Sequence, residues 1–146
     1  MADQLITGTT LIEDKRDPAG GVLSIPGCAF IMEIDNKSYT YAGGGIVKDG
    51  DIYVEDAGQL LAPIILPHGA EVTGAVVYGA QAVDLWYLYR KNLSDGTNTE
   101  MASAIVNTED TSISNEKIDN TLYSYFIITE DLENGDMIHG ARITYK

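Results

Sequence analysis

The chain has 146 residues, 45% of them apolar and 21% charged, and a net charge of −13. That length supports a single hydrophobic core, and the composition is that of a folded globular protein rather than a disordered one. Nine Lys and Arg against 22 Asp and Glu leave no basic stripe to neutralise phosphates, which excludes nucleic acid and anionic membrane surfaces as partners.

No apolar run approaches the roughly 20 residues needed to cross a bilayer, so no membrane insertion is expected. The opening "MADQLITGTT" has no basic start and no long apolar segment. It is therefore not read as a signal peptide, and the expected location is cytoplasmic as synthesised, or in a particle. Residues 1–24, with the polar run "EDKRDPAGG", are read as an N-terminal arm and first strand able to dock on a neighbouring subunit. Residues 25–146 are read as the folded domain.

From there the periodicity is that of strands. "AFIMEI", "KSYTYAG", "DIYVED", "APIIL", "EVTGAVVYG", "VDLWYLYRK", "MASAIV", "LYSYFIIT" and "ARITYK" are short runs rich in Val, Ile, Tyr and Thr. Turn chemistry separates them: Asp49-Gly50, Asp95-Gly96 and Asn134-Gly135 are hairpin signals. In "LPHGA", Pro67 and Gly69 suit a bend between two strands, and His68 reads as its bystander. No window keeps apolar residues at helical spacing for three turns, and the nearest, "TSISNEKIDN", is short and polar. The expected fold is all-β: an antiparallel β-sandwich, jelly-roll-like.

Catalytic patterns are missing. The two histidines, His68 and His139, are not in H-E-x-x-H spacing, and neither a G-x-S-x-G elbow nor a Walker A loop is present. The lone Cys28, among apolar neighbours, reads as an inert thiol and excludes internal disulfides. The chain is therefore expected not to be an enzyme and to require no cofactor.

Two acidic turns are candidates for a calcium ion, which takes six to eight oxygen ligands. One holds Asp49, Asp51, Glu55 and Asp56; the other holds Asp131, Glu133 and Asp136. Nine tyrosines and one tryptophan are many for this length. In "LWYLY", Trp86, Tyr87 and Tyr89 are the candidate ligand or interface residues.

A set of turn and core residues recurs in a recognisable order. It comprises Leu66, Pro67, Gly69 and Ala70, then Leu88 and Arg90, then Gly96, Met101 and Ala102, and last Asp119, Asn120, Tyr123 and Tyr125. In this order the chain resembles a bacterial β-sandwich module of secreted and surface proteins. The resemblance runs from about Ile25 to the C-terminus. It implies the sandwich fold and carries no catalytic residue.

The expected function is that of a structural, self-associating subunit of a homo-oligomer, trimer first, or of a larger particle such as a virus-like shell, tail or extracellular tube. The alternative is a carbohydrate-binding module using surface aromatics.

Overall fold

The computed structural model describes residues 20–32, 39–41, 51–54, 58–80 and 84–146. Among these, ten strands follow in chain order: β1 (Gly21–Pro26), β2 (Ile31–Met32), β3 (Tyr39–Tyr41), β4 (Ile52–Val54), β5 (Gly58–Ile64), β6 (Val72–Gly79), β7 (Leu85–Asn92), β8 (Asn98–Ile105), β9 (Tyr123–Leu132) and β10 (Met137–Tyr145). They form two five-stranded sheets in which every pairing is antiparallel, so the fold is the expected antiparallel β-sandwich. Strand β1 runs through Ile25 and Pro26 and pairs with β10, so the boundary drawn at 24/25 falls inside a strand of the body. Residues 1–19 lie outside the described residues.

The first sheet is organised around β10. Ile138 is paired with both Ile52 of β4 and Gly79 of β6, and Gly140 with both Pro26 of β1 and Tyr78 of β6. A strand has only two edges, so β6 holds one, and β1 and β4 share the other end to end. Where β1 gives way to β4, a 3-10 turn over Gly27–Ala29 carries the chain out of the sheet. In the second sheet the order is β2-β5-β9-β7-β8.

The inward faces meet in one core. Trp86 and Leu88 of β7, Tyr125 and Ile127 of β9, and Leu60, Ala62 and Ile64 of β5 come from the second sheet. Val72, Ala75 and Val77 of β6 and Ile138, Ala141 and Ile143 of β10 come from the first. Asp95-Gly96 closes the β7–β8 hairpin as its turn signal predicts, whereas Asn134-Gly135 carries the chain from β9 in the second sheet to β10 in the first, so the hairpin expected there is a turn that crosses the sandwich. Asp49-Gly50 lies outside the described residues. The polar stretch after β8 is not helical. It ties the two sheets together, with Asp110 and Ala75 exchanging backbone hydrogen bonds and the Asp110 carboxylate accepting the Ser103 N–H.

The "LPHGA" bend joins β5 of the second sheet to β6 of the first, so it crosses the sandwich rather than closing a hairpin. It is fastened to residues 118–120. Gly69 N–H donates to Ile118 O (2.8 Å), Ile118 N–H to Ala70 O (2.7 Å), and the Asn120 amide to Leu66 O (2.9 Å). His68 is no bystander: its Nδ1 accepts the Asn120 N–H at 3.1 Å. Beside it, the Asp119 N–H donates to the Tyr125 hydroxyl at 2.8 Å.

Hydrogen bonds from the Thr121 hydroxyl and N–H, helped by nearby His68, hold the Asp119 carboxyl below its ordinary value of 3.8. A depressed folded-state pKa contributes stability that is present above the unfolded value and lost as pH falls through the folded one. Asp119→Asn keeps an oxygen that can cap the turn but removes the titration. Its melting temperature should therefore fall less than that of the parent chain between about pH 5 and pH 2. Calorimetry across that range tests this, and two parallel curves would assign Asp119 no part in acid unfolding.

Candidate functional site

Strand β7 is apolar on both faces, and the sandwich uses the two faces differently. Trp86 points inward, has no exposed surface, and donates its indole N–H to Thr108 O at 3.2 Å. The expectation that Trp86 contacts a ligand is thereby corrected: the largest side chain of "LWYLY" fills the core. Tyr87 and Tyr89 lie on the opposite, outer face, half-exposed.

Strand pairing then assembles what surrounds them. Across β7 and β9, Tyr89 stands opposite Phe126, Tyr87 opposite Ile128, and Lys91 opposite Ser124. Across β9 and β5, Phe126 stands opposite Pro63 and Ile128 opposite Leu61. Across β7 and β8, Tyr89 stands opposite Glu100 and Lys91 opposite Asn98. Alternation places all of these on one face.

The rings form a paved surface. Tyr87 and Tyr89 are stacked with centroids 5.8 Å apart and planes 18° apart, and Tyr89 and Phe126 with centroids 5.5 Å and planes 28° apart. Tyr89 and Phe126 floor a depression of about 720 Å³, with Tyr87 stacked against Tyr89 beside it. Leu61, Pro63 and Ile128 extend its apolar part, and Gln59, Lys91, Asn98, Ser124 and Glu130 supply polar groups. Its lining comes from β5, β9, β7 and β8, three inter-strand steps of about 4.8 Å each, so it reaches roughly 14 Å across the sheet. Burial, reinforced by Glu100, Glu130 and Tyr87, raises the Tyr89 phenol above its ordinary 10.0. At neutral pH it is a protonated hydrogen-bond donor beside an apolar floor.

The sequence did not mark Gln59, Leu61, Pro63, Phe126, Ile128 or Glu130 as a site. These residues are 24 or more positions removed in sequence from Tyr87 and Tyr89, and only the strand pairings bring them together. The available signal was that "YSYFIIT" is apolar on both faces, which only one buried face does not require.

Of the calcium candidates, Asp51, Glu133 and Asp136 have described side chains, and these do not converge on one point. Asp49, Glu55 and Asp56 lie outside the described residues, as does the side chain of Asp131. Asp51 lies 3.0 Å from His139 Nδ1 at the β4 end of β10. Asp136 is buried, and its Oδ2 accepts the Glu133 N–H at 2.7 Å, so this carboxylate closes the turn between β9 and β10. Among the described residues no three His, Cys, Asp or Glu side chains converge on a point that could hold a metal. His68 and His139 each sit beside a different aspartate. No described helix is long and apolar enough to cross a membrane.

Several of the residues that carry the bacterial resemblance touch one another. The Arg90 guanidinium lies 4.1 Å from the centre of the Tyr123 ring, and the Tyr125 hydroxyl takes the Asp119 N–H. Their contacts hold loops and strands together.

No protein-family model matches the chain, and no curated protein matches it. Two solved structures are similar to it. One is the C-terminal CBM6 of LamC, a marine laminarinase from Zobellia galactanivorans, with a TM-score of 0.48 and 16% identity over 85% of this chain and 99% of that one. The other is CBM86, a low-affinity xylan-binding module from Roseburia intestinalis, with a TM-score of 0.47 and 14% identity over 88% of this chain and 96% of that one.

Proposed function

We propose that the chain is a non-catalytic carbohydrate-binding module whose site is the groove on the outer face of the second sheet. One observation carries this reading: Tyr89 and Phe126, stacked on one another with Tyr87 stacked against Tyr89 beside them, line a polar-rimmed depression on the outer face. A sugar ring presents C–H groups on its faces and hydroxyls around its edge. The paving matches the faces, and Gln59, Asn98, Ser124 and the Tyr89 hydroxyl can reach the edge. Concave, mostly apolar clefts with a few convergent polar groups are the usual form of a ligand site.

Tyr89 touches both other rings and is the centre of the floor. Tyr89→Ala should weaken binding of soluble xylan or a β-1,3-glucan at least tenfold in isothermal titration, as removal of a central aromatic anchor does. The melting temperature should change little, because the side chain is half-exposed. Binding by the parent chain that survives Tyr89→Ala intact would remove this groove as the site.

A second copy covering the same apolar floor is the competing occupant, and would make the chain the self-associating subunit expected from sequence. Light scattering in the same buffer separates the two. A monomer that binds glycan supports the module reading, and a trimer that Tyr89→Ala dissociates supports assembly. Calcium dependence would lie with the turns around Asp51 and Asp136, and repeating the titration with chelator tests it.

A further inference from the structure

The groove carries acidic charge around Tyr89. Glu130 lines it, and Glu100 lies directly across the β7–β8 ladder from Tyr89. Both carboxylates act on the Tyr89 phenol, which they help to hold protonated. The described lining contains one cation, Lys91, whose Nζ donates to Gly96 O at 3.1 Å; its charge remains, but that bond draws it toward the β7–β8 turn at one end of the groove. Glu100 accepts the Ser103 hydroxyl at 2.7 Å, a bond that leaves its charge in place. A carboxylate or sulfate on a sugar seated over Tyr89 would therefore meet two like charges at short range, with apolar surface rather than water beneath it.

Resting on the glycan reading above, we infer that the groove selects neutral polysaccharides against acidic ones, with Glu130 and Glu100 as the residues that exclude the acidic class. The neutral hydroxyls of the favoured ligand can donate to these same carboxylates, so each glutamate serves both binding and rejection. The net charge of the whole chain also repels polyanions, but that long-range field is largely screened by salt, whereas a repulsion at contact distance is screened much less.

The test is titration with xylohexaose, laminarihexaose and hexagalacturonate in about 0.5 M NaCl, where the Debye length falls to about 4 Å. One neutral hexamer should bind at least tenfold more tightly than hexagalacturonate. Glu130→Gln and Glu100→Gln should each narrow that ratio about fivefold, the effect of removing one unit charge about 4 Å away. Glu109→Gln, at a carboxylate lying over Gly74 on the other sheet, should leave the ratio unchanged. Equal or tighter binding of hexagalacturonate overturns the inference and leaves the glycan reading standing. So does a ratio that neither glutamine variant moves. Binding of no hexamer at all removes both.

Discussion

Replacing Trp86 by alanine should cost about 3–5 kcal/mol of folding stability, measured as a shift in the urea midpoint at constant slope. The indole has no exposed surface and is the largest fully buried side chain among the described residues. Its removal leaves a cavity between two sheets that are each tied by ladder hydrogen bonds and cannot close over it, and it deprives Thr108 O of the indole N–H. A domain of this kind has roughly 5–15 kcal/mol in total, so the variant should be marginal at 37 °C. Trp86→Phe keeps most of the volume and should recover more than half of the loss. The buried position also sets an optical expectation: emission should be that of a ring in apolar surroundings, and glycan in the outer groove should scarcely quench it. A loss below about 1 kcal/mol for Trp86→Ala would mean that the core rearranges around the gap.

Gly27→Ala should be as damaging, for a different reason. A methyl group on Gly27 would collide with the Ile138 carbonyl oxygen and come within 3.0 Å of the Ile52 N. Both obstacles are backbone in the first sheet, so no side chain can swing aside. Relief requires β4 or the 3-10 turn to move away from β10, which opens the pairing of Ile138 with Ile52. The expected loss is about 3 kcal/mol or more by chemical denaturation. Gly69→Ala is the contrasting variant. Its φ is +85°, yet a Cβ there has nothing within 4 Å, so only backbone strain of about 1–2 kcal/mol applies. Equal losses at the two glycines would show that crowding at the β1–β4 junction is not what Gly27 relieves.

What the sequence disclosed follows the range of the forces involved. The β7–β8 hairpin was legible because Asp95-Gly96 acts locally; Asn134-Gly135 marked a turn as well, but that its flanking strands join different sheets is decided by long-range pairing. Alternation correctly put Trp86 with Leu88 and Tyr87 with Tyr89. It left open which pair faces the core, because both are apolar and polarity alone separates inside from outside. The candidate site was half legible for the same reason. Tyr87 and Tyr89 stood out as aromatics, whereas Phe126, Pro63 and Glu130 join them only through the β5-β9-β7 order, which is long-range pairing. His68 was misjudged because its partner, the Asn120 N–H, is 52 residues away.

The shared edge of β10 has a consequence for how two copies of this chain can meet. Gly140–Tyr145 is covered on that side by β1 alone, a six-residue ribbon near the start of the described chain. Were β1 to detach, β10 would present a bare row of amides and carbonyls flanked by Leu23- and Ile25-sized gaps in the core. The segment that fits that vacancy best is another molecule's β1, identical in every contact. Dimerisation by reciprocal strand exchange would need no new surface, only a transient fraying of the first strand. It would leave the aromatic groove on the other sheet open in both copies.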